Sequence, residues 1–330
     1  MTGIKWGVLG TAGIARGAVI PAMQMAKDTV LYAIAGRNSQ KTEDFKQQFG
    51  FEKSYVSYDA LLDDSEVEAV YIPLTNDLHK EWVIKAAQKG KHVLCEKPMS
   101  GSKADVQEMI DAAKAGGIIL MEAYAYLHSP YIRAIKEELQ QGTIGKVQFI
   151  ESAFYTQGYQ EDFRIHKEKL GGGLYDLGCY NTSLILHLLE QTPVSVEANA
   201  LFSQEGVDEL CLASFGFADG VKASNASGMC TGGPCGSRFF VYGTGGHIEA
   251  PIIFNQSGKL HYNIYRNNAL VKTQKLDVPN NYMLEIEQMN RCIRGEEKPA
   301  VTHDFSLKVA ETTDRILEKI GYWDHKGDKQ

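Results

Sequence analysis

Residues 4–15 read Ile4-Lys5-Trp6-Gly7-Val8-Leu9-Gly10-Thr11-Ala12-Gly13-Ile14-Ala15, and the way this stretch folds decides what the first half of the chain is. Ile4, Trp6, Val8 and Leu9 suit a short buried strand. Gly10 to Ala15 then turn that strand into a helix. In a dinucleotide-binding turn the first small residue makes the bend, the second lets the backbone approach a pyrophosphate, and the third lets the helix pack on the strand. Gly10 and Ala15 hold the first and third places, but Ala12 holds the second, which moves a phosphate slightly outward or admits a bridging water. An ordinary strand-to-helix turn is the other reading of the same residues. Position at the head of the chain, directly after a strand, favours the dinucleotide turn, with Gly10, Thr11, Ala12, Gly13 and Ile14 against the cofactor. Pro21 is expected to interrupt the helix that follows, near its start.

Working outward, a second strand at Val30 to Ala35 ends in Gly36-Arg37-Asn38. An NAD site places an acid here for the ribose 2′-hydroxyl, whereas an arginine accommodates a 2′-phosphate. No acid is present, so Arg37 and Asn38 indicate NADP(H) in preference to NAD(H); the plainer reading of Arg37 is a surface residue beside a turn. A helix from Thr42 to Phe49, a short strand at Lys53 to Tyr55 and a fourth at Ala69 to Ile72 follow. Leu74, Thr75, Asn76 and His79 come directly after that fourth strand and can bracket a cofactor, although Asn76 also suits a turn and His79 a helix start. A helical pattern over 79–89 leads to His92-Val93-Leu94-Cys95-Glu96-Lys97-Pro98, an apolar run that stops on an acid, a base and a proline. Ligands of open α/β sheets collect at the carboxyl ends of strands, which is where Glu96 and Lys97 fall; an exposed Glu-Lys pair is otherwise common and contributes little. A helix from Ser102 to Ala115 and a strand at Ile118 to Glu122 complete an alternation that predicts a parallel, doubly wound sheet.

From about Tyr124 the alternation stops. A helix is expected near Ser129 to Gln141 and a strand from Val147 to Tyr155. After a loop with Arg164 and His166 comes Gly171-Gly172-Gly173-Leu174-Tyr175-Asp176-Leu177-Gly178-Cys179-Tyr180. Asp176, Tyr180 and Leu184 have i, i+4, i+8 spacing, so one helical face can present the acid and the phenol together. A tyrosine half-buried against the core is the alternative. Residues 194–277 hold short runs rich in Val, Ile, Phe and Tyr, separated by Gly206, Asp219-Gly220, Gly245-Gly246 and Gly258, the turn signals of an antiparallel sheet. Residues 231–236, Thr-Gly-Gly-Pro-Cys-Gly, read as a loop, and helices near Met283 to Arg294 and Ser306 to Ile320 close the chain.

Gly10 to Ala15, Asn76 with His79, Glu96-Lys97-Pro98, Glu122-Ala123-Tyr124-Ala125-Tyr126 and Gly171 to Tyr180, in this order, resemble the family of glucose-fructose oxidoreductase, inositol dehydrogenase and their relatives. The resemblance covers most of the chain. It implies a Rossmann domain at 1–123 and, at 124–330, an α+β domain with a large open, mainly antiparallel sheet that binds substrate and meets a second subunit in a homodimer or larger assembly. It assigns Lys97 a place beside the nicotinamide, often with a cis peptide before the proline that follows it, and gives Asp176 an orienting role. Many members carry a histidine four residues beyond that aspartate; Tyr180 stands there instead, which resembles the branch of dimeric dihydrodiol dehydrogenase and D-xylose 1-dehydrogenases. The implied activity is hydride transfer between NADP(H) and a secondary alcohol or carbonyl of a sugar or cyclic diol, with Tyr180 exchanging the proton, Lys97 favouring phenolate, Glu96 bracing the loop, and Tyr126, Phe154 and Arg164 on the substrate wall. A dinucleotide-binding sensor without turnover and a dicarbonyl-sugar reductase are the alternatives; a pure binder has no need of Lys97 and Tyr180.

The 330 residues suffice for two cores. A net charge of −7 offers nothing for nucleic acid or an anionic membrane. No apolar run approaches the roughly 20 residues that span a bilayer, and the start of the chain lacks the pattern of a signal peptide. The six cysteines are scattered; Cys230 and Cys235 lack the spacing of a zinc site, so no metal is expected and free thiols in the cytoplasm are.

Overall fold

The computed structural model describes residues 3–159, 161–229, 235–251 and 254–325. Cys230 and residues 231–234 of the expected loop lie outside the described residues, whereas Gly236 already begins a strand. Two compact units form. One contains the residues up to Ser100, Ala104–His128 and Pro279–Ser306; the other contains Gly101–Lys103, Ser129–Val278 and the residues from Leu307 onward.

In the first unit β1 (Ile4–Leu9), β2 (Thr29–Ala35), β3 (Lys53–Tyr55), β4 (Ala69–Ile72), β5 (His92–Glu96) and β6 (Leu120–Ala123) make one sheet. Their order is β3-β2-β1-β4-β5-β6, and every pairing is parallel. Trp6, Val8 and Leu9 of β1 and Val93, Leu94 and Cys95 of β5 are 0% exposed. Burial on both faces is why these strands are nearly continuous apolar runs rather than alternating ones. The strand order reverses between β1 and β4, and in such sheets the crevice at the carboxyl ends beside that reversal is where dinucleotides bind. The loops after β1 and β4 therefore flank the expected site.

Pro21 does not break the first helix. The helical run continues through it because the preceding turn, Ala15–Val19, is of the wide π type, with the Ile20 N–H bonded to the Ala15 carbonyl. A proline removes one N–H and its ring crowds the carbonyl four residues earlier. Here the wide turn lies immediately before the proline.

A single cut after residue 123 does not describe the chain, because Pro279–Ser306 belong to the first unit. The physical reason is Asn290, on the helix Asn281–Ile293. Its carboxamide oxygen accepts from the fully buried Trp6 indole at 3.0 Å, and its amide donates to the Lys27 carbonyl at 3.0 Å and to Thr29 Oγ1 at 2.8 Å. One side chain thus satisfies β1 and the turn leading into β2. Arg294 adds an ion pair to Asp28 at 2.8 Å.

In the second unit eight strands form an open sheet: β7 (Val147–Tyr155), β8 (Ser195–Phe202), β9 (Asp208–Gly216), β10 (Lys222–Gly228), β11 (Gly236–Gly243), β12 (Gly246–Ala250), β13 (Gly258–Arg266) and β14 (Ala269–Val278). Their order is β14-β13-β12-β11-β7-β10-β9-β8. Only the central β7–β10 pairing is parallel. One face is apolar and buried, with Ile150, Phe239, Val241, Ile248 and Ile264 at most 1% exposed. The other face carries a row of rings from four adjacent strands: Phe149 stacks on Tyr242 at 5.7 Å, Tyr242 meets His247 at 5.8 Å, and His247 stacks on Tyr265 at 4.6 Å. Leu201 and Leu212, 64% and 50% exposed, extend this face toward the edge. Among the described residues no helix is long and apolar enough to cross a membrane.

Glu122, in β6, gives a pH test of the first unit. It is 3% exposed, its Oε1 accepts from the Met99 N–H at 2.8 Å, and burial pushes its carboxyl up to about 7. A carboxyl whose pKa is raised on folding contributes stability that is full below its unfolded value of about 4.5 and lost as pH rises through the folded value. Glu122→Gln keeps an acceptor for Met99 and cannot ionise. The expected outcome is a wild-type denaturation midpoint that falls between pH 5 and pH 8 by more than that of the variant, measured by urea titration at each pH; parallel curves would contradict it.

Candidate active site

The residues expected to hold the cofactor lie in the first unit. Gly10 ends β1 at φ 120°, a conformation that L side chains rarely adopt, and a Cβ there would stand 3.0 Å from Leu74 Cδ2. A Cβ on Gly13 would meet nothing within 4 Å, so the turn is open on the side where a pyrophosphate approaches. Ile14 is 38% exposed on the first turn of the helix, an apolar side chain left at the surface beside that opening. These residues fit a dinucleotide: a turn without side-chain bulk, a helix start supplying N–H groups, and an apolar cover. Thr11 packs behind the turn, where its Cγ2 would be 3.2 Å from a Cβ on Gly36.

At the end of β2, Arg37 is exposed and lies against the hydroxyl of Tyr58, whose pKa burial raises and Arg37 pulls back down. Asn38 caps the helix Ser39–Phe49 through Oδ1, which accepts from the Lys41 N–H at 2.9 Å. Its side chain is thereby engaged, and the positive group at this strand end is Arg37. After β4, the Thr75 carbonyl accepts from the Leu78 N–H at 2.9 Å, and Asn76 is 5% exposed at the start of a short 3-10 turn. His79 is fully buried, with Nδ1 3.0 Å from the Pro98 carbonyl and Nε2 3.0 Å from the Leu74 carbonyl. Both ring nitrogens therefore face protein carbonyls. His79 ties the loop after β4 to the loop after β5 and has no ring atom left to offer a cofactor.

The Glu96-Lys97-Pro98 turn is fixed at every residue. Glu96 Oε1 accepts from the Tyr71 hydroxyl at 2.7 Å, and its Oε2 faces the Lys97 N–H at 3.3 Å. The Lys97–Pro98 peptide is cis. The Pro98 carbonyl meets His79, and the Met99 N–H meets Glu122. Glu96 is thus a brace, 9% exposed, while Lys97 keeps partial exposure. Tyr126, expected on the substrate wall, is instead 1% exposed and packs edge-to-face on Tyr124 at 6.1 Å. It belongs to the core.

In the second unit the first two residues of the glycine triplet have a steric reason. A Cβ on Gly171 would be 2.3 Å from the Arg164 carbonyl oxygen, and one on Gly172, at φ 117°, would be 2.1 Å from Asp208 Oδ1. The Asp208 carboxylate occupies that space to accept the Leu174 N–H at 2.7 Å, capping the helical run that bears Asp176 and Tyr180. Asp208 is 0% exposed, and burial pushes its carboxyl up to about 7 against the pull of those N–H groups. The run begins as a wide π turn, Leu174–Gly178, before the α-helix Cys179–Leu189. Asp176 thus stands on the π turn and Tyr180 on the α-helix that follows it.

Asp176 Oδ2 pairs with Arg164 Nε at 2.8 Å, while Arg164 NH1 reaches Asp162 at 2.9 Å and the guanidinium lies 4.6 Å from the centre of the Phe163 ring. Arg164 therefore anchors Asp176, with its side chain 26% exposed. Tyr180 is held by rings: Phe154 meets it edge-to-face at 5.7 Å and Phe254 lies 4.9 Å away. Asn255 Nδ2 donates to the Tyr180 hydroxyl oxygen at 3.3 Å. Phe154, expected on the substrate wall, is thus packed against the phenol ring. Phe254, Asn255 and Asp208 were not among the residues singled out from the sequence. Nothing local marks them, since Asn255 lies 75 residues from Tyr180 and Asp208 lies 34 from Leu174.

Comparison with known proteins agrees with both halves. Residues 4–124 match the model of the oxidoreductase family with an NAD-binding Rossmann fold, and residues 132–249 match the GFO/IDH/MocA C-terminal domain. A D-xylose 1-dehydrogenase (NADP(+)) from Haloferax volcanii is 34% identical over 96% of this chain and 97% of its own length. A trans-1,2-dihydrobenzene-1,2-diol dehydrogenase from Xenopus laevis is 29% identical over 96% of this chain and 98% of its own. Among solved structures, a 3-ketoreductase from Actinomadura kijaniata in complex with TDP-benzene and NADP superposes with a TM-score of 0.91 at 26% identity, covering 97% of this chain and 98% of that one. With a parallel sheet ordered for a dinucleotide, a turn that fits one, and both domain models matched in sequence, the chain belongs to the GFO/IDH/MocA family of oxidoreductases.

Proposed function

We propose that this protein is an NADP(H)-dependent oxidoreductase that moves a hydride between nicotinamide C4 and a secondary alcohol or carbonyl carbon of a sugar or cyclic diol. The observation that carries the reading is the presence of both reacting side chains in fixed surroundings: Lys97 on the braced turn after β5, and Tyr180 held by Phe154 and Phe254. The similar proteins named as a D-xylose 1-dehydrogenase, a dihydrobenzenediol dehydrogenase and a 3-ketoreductase support the substrate class. The last of these also supports running the same groups toward alcohol, as a ketosugar reductase.

The nicotinamide supplies the hydride chemistry. The chain supplies the proton and the charge. In the oxidative direction Tyr180, as phenolate, takes the hydroxyl proton while the carbinol hydrogen leaves as hydride. Lys97 stabilises the negative charge that develops on the substrate oxygen and favours the phenolate, since a free phenol titrates near 10. Asp176 acts through Arg164, ordering the segment before the glycine triplet. Exposed Arg37, at a strand end with no acid, binds the 2′-phosphate. The open sheet face with Phe149, Tyr242, His247 and Tyr265 meets a second copy in a homodimer. The five free thiols among the described cysteines suit the cytoplasm.

Three measurements test this. D-xylose, D-glucose and trans-cyclohexane-1,2-diol are screened with NADP⁺ by absorbance of NADPH; turnover of at least one is expected, and Tyr180→Phe should lower kcat by about a hundredfold or more with NADPH binding unchanged. Near-normal turnover of that variant across pH would refute the proton-transfer role, and cofactor binding without any turnover would favour a sensor. Arg37→Ala should raise the Kd for NADPH by about tenfold while leaving NADH within about twofold, read by fluorescence titration; an unchanged preference would refute the 2′-phosphate assignment. Light scattering should give a dimer mass for the wild type and a smaller mass for Tyr242→Glu, and a monomeric wild type would contradict the interface.

A further inference from the structure

The contact between Asn255 and Tyr180 is not explained by packing alone. Asn255 sits in the turn between β12 and β13 with φ 66°, a left-handed conformation that asparagine tolerates better than most residues. Beside it, Phe254 is 8% exposed and lies 4.9 Å from the Tyr180 ring and 5.1 Å from Phe154. Phe254 therefore packs the turn onto the tyrosine, and the left-handed residue that follows aims a side-chain amide at the phenol oxygen, 3.3 Å from Nδ2. An amide N–H can only donate. It takes one lone pair of the phenol oxygen and obliges the hydroxyl proton to point elsewhere.

We propose that Asn255 is a positioning residue for the reacting tyrosine: its amide donates to Tyr180 Oη, directs the hydroxyl proton away from the turn, and holds the phenolate when that proton leaves. The proposal rests on the reading of Tyr180 as the proton carrier. At 3.3 Å the bond is longer than the usual 2.9–3.0 Å of N–H···O pairs. A neutral phenol is a modest acceptor, whereas a phenolate makes a charge-assisted bond that is shorter and about twice as strong. The interaction therefore gains when the proton has gone, which is the sign required to favour phenolate.

The polar and charged groups on the elements around the tyrosine in this unit have partners of their own. On its own helical run, Asp176 is neutralised by Arg164, which also holds Asp162 and lies near Tyr159. Asp208, beneath the start of the run, is capped by N–H groups. From the sheet, β7 presents Phe154 and Ser152, and β10 presents Asn225, which bonds Gly178 and Thr182. Asn255 reaches the phenol oxygen from outside the helix with an uncharged amide on a turn.

The test uses the full chain carrying 3-fluorotyrosine, with the Tyr180 signal assigned by its loss in Tyr180→Phe and followed by fluorine NMR against pH. Asn255→Asp is nearly isosteric, tolerates the left-handed backbone and lacks the donor; Asn255→Gly tolerates the backbone and removes the side chain. Both are expected to raise the Tyr180 titration midpoint by about one unit, equivalent to about a tenfold loss of phenolate at a given pH, and Asn255→Asp by more, because it adds a negative charge. In each variant the pH profile of turnover should move with the Tyr180 midpoint of that variant, while the Kd for NADPH stays within about twofold. A Tyr180 midpoint unchanged in both variants would overturn the proposal while leaving Tyr180 itself untouched. If Tyr180→Phe alone keeps wild-type turnover, the reading of Tyr180 falls and the positioning role falls with it.

Discussion

Two asparagines set back to back under one helix hold the reacting part of the second unit in place. Asn181 accepts from Ser152 of β7 at 2.7 Å and donates to Asn225 of β10 at 2.9 Å, while Asn225 donates to the Gly178 carbonyl at 2.9 Å and Thr182 at 3.0 Å. All four groups are nearly or wholly buried, so every donor and acceptor left unmatched would cost about 1–3 kcal/mol. The network is satisfied only at one depth and one rotation of the helix. Gly178 permits that depth, since a Cβ there would be 2.7 Å from Leu174 Cδ1 and 2.9 Å from Ser227 Oγ. Tyr180 stands two residues on, and its ring direction is therefore set by the core beneath it. Asp208 fixes the other end of the same run by occupying the space that the glycine triplet leaves empty.

The first unit solves a related problem with acids. Lys97 lies on a turn whose neighbours are held by buried carboxyls: Glu96 by Tyr71, and Met99 by Glu122. Glu285, 1% exposed on the helix Asn281–Ile293, is pushed well above the ordinary carboxylate range by burial and by Glu96. With Glu96 and Met99 held in this way the turn is rigid, and a rigid turn presents its lysine with little loss of side-chain freedom beyond the lysine's own.

Much of this was legible from the residues. The doubly wound sheet follows from alternating strand and helix patterns, and the strand Val147–Tyr155 and the short strand Lys53–Tyr55 have the bounds their composition suggests. The glycine triplet, Asp176 and Tyr180 could be found because they are contiguous. What escaped is long-range: Asn290 reaching back 284 residues to Trp6, which moves a whole helix into the first unit, and Asn255 reaching Tyr180. Local spacing also leaves open which side chains have protein partners. Spacing shows that His79, Tyr126 and Arg164 are near the ends of strands and motifs, but not that two carbonyls, an aromatic core and Asp176 already occupy them. Pro21 shows the same limit, because a wide turn immediately ahead of it lets a helix continue where an α-turn would stop.

The central claim is direct hydride transfer between a carbinol carbon and a nicotinamide by this chain. Deuterium tracing tests it most directly: the wild-type protein is incubated with NADP⁺ and with D-xylose or trans-cyclohexane-1,2-diol deuterated at the carbinol carbons, and the cofactor is recovered for NMR. The account predicts deuterium on nicotinamide C4, on one face only, with none lost to water. Label appearing in solvent, or NADP⁺ recovered unchanged with both compounds, would contradict it.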